Sequence, residues 1–397
     1  MRTVGFRTRE EREAFLREHV EEVYAELTGG FGEAVRVEEL VFRAADRYPG
    51  LVPGREAMAE ERGRRQSEKR GLELDQALFL SRVLGSPRAG RHLVHAMMRP
   101  RPEALGRIEE FRRLGRVDLG LARVERRGRI GLVELANPRF LNAEDDGTTA
   151  GLEVAVDLVL LDPEVEVGVL RGAVVDHPRY AGRRVFNSGI NLTHLYHGRI
   201  TFVDFFVARE LGLVGKLYRG HWLGDDFQSC LEETEEKPWI AAVEAHAIGG
   251  GCQLLLVMDR VLAERGSFFS LPASKEGIIP GTSNRRLTRF VGDRLARQLI
   301  VFERRLEADS PEGRLICDEV VEPGAMDEAI ERDVARLLGS GLVSAAANRK
   351  AIRLGEETLD DFRRYQAVYA REQARCLYSP ALISNLERNW QAHRRRP

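Results

Sequence analysis

The chain has 397 residues, with 61 Lys and Arg residues against 62 Asp and Glu residues. Because these charges nearly cancel, the sequence offers no global attraction for nucleic acid. No segment approaches the roughly 20 apolar residues of a membrane-spanning helix, and the stretch MRTVGFRTREEREAF lacks the apolar region of a secretory signal. We therefore expect a soluble, cytoplasmic protein that binds neither nucleic acid nor membranes.

The cysteines and histidines show no spacing typical of a metal site. The four cysteines lie far apart, at Cys230, Cys252, Cys317 and Cys376. His194 and His197 would share one face of a helix, but no carboxylate motif accompanies them. The sequence therefore predicts a reduced protein without a bound metal.

Residues 1–115 are rich in Arg and Glu and are predicted to form an all-α domain. Apolar residues recur at helical spacing, as in amphipathic helices. The predicted helices span residues 9–27, 35–48, 56–79 and 104–114, with an interruption at 87–102. Because no heptad pattern persists, a solvated helical cap is favoured over a coiled coil.

Strands and helices alternate after this domain, which predicts an α/β fold. Two apolar runs flank the turn at 126–129 and predict a β-hairpin. A helix at 152–161 then precedes a buried strand at 165–170, and a further strand is predicted at 239–243. Short strand–helix–strand units favour a mostly parallel sheet. Long amphipathic helices are predicted at 326–338 and 345–373.

The segment at 237–259, KPWIAAVEAHAIGGGCQLLLVMD, contains three consecutive glycines between a strand and an apolar run. A turn into a helix leaves backbone N–H groups unpaired at the helix N-terminus. Glycine has no Cβ, so a ligand can approach these groups closely. By itself, this pattern also fits an ordinary tight turn.

Six segments, in the same order along the chain, resemble the crotonase (enoyl-CoA hydratase/isomerase) superfamily. They are 137–143 (NPRFLNA), 186–192 (FNSGINL), 245–259 (AHAIGGGCQLLLVMD), 269–281 (FSLPASKEGIIPG), 285–292 (RRLTRFVG) and 315–321 (LICDEVV). The resemblance implies a crotonase-like ββα superhelix core at 116–342, between the N-terminal all-α domain at 1–115 and C-terminal helices at 343–397. It also implies an acyl-CoA thioester substrate and a homotrimer or dimer of trimers.

The resemblance assigns an oxyanion hole for a thioester enolate to the backbone N–H groups of Ile190 and Gly250. Hydratases of this superfamily carry glutamates at two positions that are Gln253 and Ala273 here. Neither side chain can act as the acid or base needed to add water to a double bond. Hydratase activity is therefore disfavoured.

The N-terminal helices and residues 193–236 resemble the cofactor-independent arylacetyl-CoA dioxygenases of glycopeptide-antibiotic biosynthesis. This resemblance implies that 3,5-dihydroxyphenylacetyl-CoA and O2 give 3,5-dihydroxyphenylglyoxylate and CoA, without a metal or flavin. It implies catalytic roles for Glu144, Arg209 and Gln253. The apolar residues Ile190 and Leu192 are candidates to hold O2.

Several assignments stay open at this point. The resemblance to crotonases makes Arg139, which follows the Asn-Pro turn, a candidate to bind the CoA phosphates, and its permanent charge suits that role. The sequence does not assign the group that removes the α-proton. Another enolate-forming crotonase, such as an acyl-CoA isomerase or thioesterase, and a non-catalytic acyl-CoA-binding protein are the alternatives.

Overall fold

The structure is a computed structural model that describes residues 6, 8–180, 182–229, 233–391 and 394–395. Cys230, one of the four predicted reduced cysteines, lies outside the described residues. The other three, Cys252, Cys317 and Cys376, are free thiols. Within the described ranges, no helix is long and apolar enough to cross a membrane.

Six helices form the N-terminal part of the chain. They are α1 (Arg9–Leu27), α2 (Val37–Arg47), α3 (Arg55–Arg62), α4 (Glu73–Gly85), α5 (Pro87–Met97) and α6 (Pro102–Leu114). The predicted helix at 9–27 is confirmed, and Thr8 caps it by accepting a hydrogen bond from the Glu11 N–H. The predicted helix at 56–79 is wrong, because the chain leaves α3 at Gly63 and turns at Gly71, where φ is 85°.

The predicted interruption at 87–102 is also wrong, because α5 occupies most of it. Proline is tolerated at the first position of a helix, where its missing N–H would have no intrahelical partner. Pro87 holds that position, and the Ser86 hydroxyl accepts a hydrogen bond from the Ala89 N–H at 3.2 Å. Pro87 therefore begins a helix here and does not break one.

The middle of the chain alternates strands and helices. Its first elements are β1 (Arg116–Asp118), β2 (Ala122–Arg127), β3 (Ile130–Leu135), α7 (Asp146–Leu161), β4 (Val167–Gly172), α8 (Leu192–Tyr196), α9 (Gly215–Arg219), β5 (His221–Trp222) and β6 (Thr234–Glu235). Then follow β7 (Trp239–Val243), β8 (His246–Ile248), α10 (Gly250–Leu255), β9 (Arg260–Glu264), β10 (Phe268–Ser270), α11 (Ala273–Glu276), α12 (Ser283–Phe302), β11 (Arg305–Glu307) and β12 (Glu319–Val321). Two π-helical stretches, Phe202–Val207 and Arg209–Val214, lie between α8 and α9.

The main sheet has seven strands in the order β1-β2-β3-β4-β7-β9-β12. The predicted hairpin is confirmed, since β2 and β3 pair antiparallel. From β3 to β12 every neighbouring pair is parallel, which confirms the mostly parallel sheet. A second, three-stranded sheet pairs β8 with β10 and β10 with β11, and the three glycines at 249–251 directly follow β8.

The predicted helix at 345–373 is wrong, because two helices replace it. The C-terminal helices are α13 (Met326–Ser340), α14 (Leu342–Glu356), α15 (Leu359–Leu377) and α16 (Pro380–Ser384). Buried Glu357 separates α14 from α15 and pairs with Arg219 at 3.0 Å and Arg286 at 2.8 Å. Thr358 then caps α15 by accepting from the Asp361 N–H at 3.1 Å.

One hydrophobic core joins both ends of the chain. It contains apolar residues of the N-terminal helices, of the segment 190–222 and of α15, such as Leu80, Phe206 and Phe362. A second core lies between the main sheet, α7 and α12. The division at residues 115 and 342 stays a prediction, and the outer helical segments pack on each other.

Candidate active site

Two glycine-containing loops meet at the predicted oxyanion hole. A Cβ on Gly189, where φ is +77°, would lie 3.0 Å from the Ile248 carbonyl oxygen and 3.4 Å from the Gly250 nitrogen. Such close backbone contact at a positive φ requires glycine. The structure thus places Ile190 and Gly250, the two predicted oxyanion donors, on adjacent loops.

In the described ranges, the backbone hydrogen bonds around Ile190 and Gly250 do not use the N–H groups of these two residues. The Glu144 N–H donates to the Gly189 carbonyl, and the Asn191 N–H donates to the Glu144 carbonyl, each at 2.7 Å. These two bonds use the Gly189 carbonyl and the Asn191 N–H, which flank Ile190, and they do not involve the N–H of Ile190. Gly250 is the first residue of α10, where an N–H has no intrahelical acceptor. Within the described ranges, no acceptor is assigned to either N–H.

Asn187 ties the first loop to the buried carboxylate of Glu144. Its Nδ2 donates to Glu144 Oε1 at 2.9 Å, and its Oδ1 accepts from the Gly189 N–H at 2.7 Å. A Cβ on Gly251 would lie 2.6 Å from the Asn187 Cβ, so the third glycine leaves room for this side chain. Asn187 was not among the predicted site residues.

Arg209 is the centre of a buried polar network. Its Nε donates to Glu144 Oε2 at 2.6 Å and its Nη2 to Glu144 Oε1 at 3.1 Å. Nη2 also reaches the Gly250 carbonyl at 3.0 Å, while Nη1 contacts Glu210 Oε1 at 3.1 Å and Gln253 Oε1 at 3.0 Å. Four predicted site residues therefore converge: Glu144, Arg209, Gly250 and Gln253.

The ion pairs of this network favour the charged form of Arg209. Burial alone would lower the pKa of Arg209, but the carboxylates of Glu144 and Glu210 outweigh it and raise that pKa. The side chains of Glu144 and Arg209 are 0% and 4% exposed. Arg209 begins a π-helical stretch, a departure from α-helix geometry that is frequent at functional sites.

A cavity lies against this network. Ile190, Arg209, Gly250 and Gln253 line it. Its apolar wall comes from Phe205, Phe206, Leu271, Ile278 and Ile279. Among the described lining residues Ile190 is present and Leu192 is not, so the prediction that Leu192 holds O2 gains no support.

The two positions that are glutamates in hydratases both face this cavity. Gln253 Oε1 is occupied by Arg209, and Ala273 is buried with no functional group. One further turn along α11, however, the Glu276 carboxyl lines the same cavity. Burial raises the pKa of Glu276 to about 7. The sequence contained one signal for this residue, since it stands three positions after Ala273.

Glu210 and Tyr369 also line the cavity and were not predicted. Glu210 accepts from the Thr282 N–H at 2.9 Å and from the Thr282 hydroxyl at 2.7 Å. Tyr369 comes from α15, far along the chain, and burial raises its pKa well above the usual range. No local sequence pattern links α15 to the glycine loops.

Two other predicted features lie away from the cavity. Arg139 is exposed in the turn Pro138–Phe140, with its guanidinium 5.2 Å from the centre of the Phe140 ring. His194 pairs with Asp145 at 2.9 Å. No group of three or more His, Cys, Asp or Glu side chains in the described part of the chain could hold a metal ion.

The fold and the paired glycine loops define the class of protein. Residues 125–353 match the enoyl-CoA hydratase/isomerase family, and the chain belongs to that family. It is 48% identical over 375 residues to the (3,5-dihydroxyphenyl)acetyl-CoA 1,2-dioxygenase of Amycolatopsis orientalis, covering 94% of this chain and 85% of the relative. The crotonyl-CoA hydratase of Syntrophomonas wolfei subsp. wolfei is 27% identical and covers 59% of this chain and 82% of its own.

Solved structures show the same fold. An enoyl-CoA hydratase from Mycobacterium avium subsp. paratuberculosis superimposes with a TM-score of 0.56 at 22% identity, over 68% of this chain and 99% of the other. A carnitinyl-CoA hydratase from Mycobacterium avium gives a TM-score of 0.55 at 24% identity, over 71% and 98% of the two chains. The predicted crotonase-like core with helices at both ends is thereby confirmed.

Proposed function

We propose that this protein is a dioxygenase that converts 3,5-dihydroxyphenylacetyl-CoA and O2 to 3,5-dihydroxyphenylglyoxylate and CoA, without a metal or organic cofactor. The observation that carries the proposal is the 48% identity to a dioxygenase over 94% of this chain. The match to the crotonyl-CoA hydratase covers 59% of the chain. The similarity to the dioxygenase therefore includes segments that are not shared with this hydratase.

The site geometry supports formation of an enolate. The N–H groups of Ile190 and Gly250 would bind the thioester oxygen and stabilise the negative charge that develops when the α-proton leaves. One donor of this kind contributes about 2.7–4 kcal/mol to transition-state stabilisation. Gln253 and Ala273 supply no carboxyl groups at the two positions that hydratases use to add water.

The carbanion would then react with O2. It passes one electron to O2, and the resulting superoxide combines with the substrate radical at Cα to form a peroxide. The peroxide attacks the thioester carbonyl and expels CoA. Cleavage of the O–O bond with loss of the second α-proton then gives the arylglyoxylate. The apolar cavity wall, including Phe205 and Phe206, would exclude water from these intermediates.

Parallel records of O2 consumption and thiol release test this proposal. With 3,5-dihydroxyphenylacetyl-CoA, protein treated with a chelator should consume O2 and release CoA in equal amounts. CoA release without O2 uptake would indicate a thioesterase, and binding without turnover would indicate a non-catalytic protein. Activity that chelation abolishes and one metal restores would refute the cofactor-free chemistry.

We also propose that Arg139 binds the phosphates of CoA, because its exposed guanidinium matches phosphate geometry. Arg139→Ala should raise KM for the CoA thioester. KM for the matching pantetheine thioester, which lacks those phosphates, should be unchanged. An equal rise with both substrates would remove Arg139 from the phosphate site.

The trimer or dimer of trimers is likewise a proposal. Helix α14 exposes Val343 by 87% and Ile352 by 62%, and Phe302 at the end of α12 is 76% exposed. A second subunit could cover such exposed apolar side chains in an oligomer. Light scattering of the purified protein should give three or six times the 44.8 kDa chain mass.

A further inference from the structure

The proposed reaction needs a base for the α-proton, and few groups around the cavity can serve. Among the described residues that line the cavity, four carry side chains that titrate, namely Arg209, Glu210, Glu276 and Tyr369. Arg209 is a cation that donates all its hydrogen bonds. Tyr369 keeps its proton, because burial raises its pKa well above the usual range. The choice therefore narrows to carboxylates.

Two of the nearby carboxylates are already occupied. Both oxygens of Glu144 accept from Arg209, at 2.6 and 3.1 Å, and Oε1 also accepts from Asn187. Glu210 accepts from Arg209 through Oε1 and from Thr282 through Oε2. Hydrogen bonds and ion pairs to the charged form of a carboxylate reduce its basicity.

Glu276 differs from both. In the part of the chain that the structure describes, no side chain or backbone group donates a hydrogen bond to its carboxyl, and no cation pairs with it. The neighbouring Lys275 is directed to Glu303 at 2.8 Å. Glu276 is buried, with only 9% of its surface exposed, and it lies on the cavity wall. Burying a carboxyl without a partner costs folding free energy. Such a group on the wall of a substrate cavity is a candidate for a functional role.

Its position fits proton removal. Glu276 Oε2 lies 3.9 Å from the position of a Cβ on Gly249, the residue next to the predicted oxyanion donor Gly250. The α-carbon of a thioester is bonded to the carbonyl carbon that this donor would hold. The carboxylate therefore stands beside the part of the cavity that the α-carbon would occupy.

We propose that Glu276 is the general base that removes the α-proton of the bound thioester, an assignment that rests on the proposed function. A carboxylate oxygen of Glu276 bonds to the proton as the Cα–H bond breaks. The electron pair of that bond delocalises onto the thioester oxygen, which the N–H groups of Ile190 and Gly250 hold. No oxidant takes part in this step, so it can be observed in the absence of O2.

Anaerobic exchange of the α-protons in D2O measures this step alone. Wild-type protein should exchange the α-protons of 3,5-dihydroxyphenylacetyl-CoA, as followed by proton NMR. Glu276→Gln should exchange them roughly 10²- to 10⁴-fold more slowly. Its affinity for the thioester, measured by calorimetry, should be little changed because the amide keeps the shape of the side chain. Glu276→Asp, which retains a carboxylate at a different reach, should give an intermediate rate.

Glu244→Gln is the matched control. Glu244 is also a buried carboxyl whose pKa is raised by burial, but it pairs with Arg171 at 2.8 Å and is not among the cavity-lining residues. Its exchange rate should equal that of the wild type. The wild-type rate should rise with pH through about 7, following ionisation of Glu276, and Glu276→Gln should lose this inflection.

The possible outcomes distinguish failure of Glu276 as the base from failure of the proposed function. If Glu276→Gln exchanged the α-protons at the wild-type rate and with the wild-type pH profile, Glu276 would not be the base. The proposed function would then still stand. Wild-type protein that binds the thioester but neither exchanges its α-protons nor consumes O2 would overturn the proposed function, and the base with it. A rate loss in Glu276→Gln accompanied by an equal loss of thioester affinity would reassign Glu276 to binding.

Discussion

Arg209 uses its guanidinium in a way that lysine cannot reproduce. Three of its nitrogens donate to Glu144, Glu210, Gln253 and the Gly250 carbonyl, with distances of 2.6–3.1 Å. Lysine offers three donors from one point and no planar fork. One substitution therefore disturbs both the buried carboxylates and the second glycine loop.

We expect Arg209→Lys to lower kcat by about two orders of magnitude, because the loss of two charged hydrogen bonds costs about 3 kcal/mol or more. Steady-state O2 uptake measures the effect. Arg171→Lys is the control, since Arg171 is also buried and bonded to a glutamate, Glu244. It should reduce stability and leave kcat near the wild-type value. Equal kcat in both variants would exclude a role for Arg209 in turnover.

Gln253 distinguishes this chain from the hydratases at a single side chain. The Oε1 atom of Gln253 accepts a hydrogen bond from Arg209, so the NH2 group of Gln253 points away from Arg209. Gln253→Ala should slow oxygenation by the equivalent of roughly 1–3 kcal/mol, with thioester affinity little changed. Gln253→Glu should form an ion pair with Arg209, which lowers the basicity of the new carboxylate, and it should therefore not hydrate an enoyl-CoA. Efficient hydration by that variant would contradict this explanation.

At the scale of elements, the oxyanion hole depends on the contact between two loops. Gly189→Ala would place a Cβ 3.0 Å from the Ile248 carbonyl at a φ of +77° and force the loops apart. We expect kcat to fall roughly 10²- to 10³-fold, as when one oxyanion donor is lost.

Gly266→Ala separates this loop effect from backbone strain. Gly266 also has a positive φ, +82°, but an added Cβ there has nothing within 4 Å. This variant should lose about 1–2 kcal/mol of stability and keep its turnover. If both variants lost turnover equally, backbone strain and not loop separation would be the cause.

Local patterns account for much of what the sequence predicted. The spacing of apolar residues located α1 and β7, and the family motifs located the loops around Ile190 and Gly250. The missed features depend on tertiary structure. Tyr369 reaches the cavity because α15 packs on the N-terminal helices, and Glu276 stands out through its burial without a partner. Neither the burial of a single carboxyl nor long-range packing can be read from residue spacing.

At the scale of the whole molecule, one carboxylate connects three distant segments. Glu153 on α7 is 0% exposed and pairs with Lys216 at 2.8 Å, Arg36 at 2.9 Å and Arg101 at 3.1 Å. Burial alone would raise the pKa of Glu153, but these three cations outweigh it and lower the pKa to about 2. The N-terminal helices and the segment before β5 are thus held to the core at one point.

We expect Glu153→Gln to lower the free energy of unfolding by about 3 kcal/mol, because three buried cations lose the carboxylate that they share and keep only Asp157 or Glu38. Urea denaturation at pH 7 measures this. In the wild type, the stability from this carboxylate is present above pH 4.5 and is lost as the pH falls through about 2. The variant should lack that loss.

Glu103→Gln is the control for this network. Glu103 contacts the same Arg101 at 3.4 Å, but its side chain is 58% exposed. An exposed pair contributes about 1 kcal/mol at most. Equal destabilisation by the two variants would show that burial of the network is not what stabilises the fold.

The proposed dioxygenase reaction places both oxygen atoms of O2 in the product of an arylacetyl-CoA. The most direct measurement is mass spectrometry of the acid formed from 3,5-dihydroxyphenylacetyl-CoA under ¹⁸O2. We expect an arylglyoxylate with two labelled oxygens, one in the keto group and one in the carboxylate, together with free CoA. An acid that carries no label from ¹⁸O2 would contradict the proposed reaction. So would an acid that takes up its new oxygen atoms from H2¹⁸O in a parallel reaction under unlabelled O2.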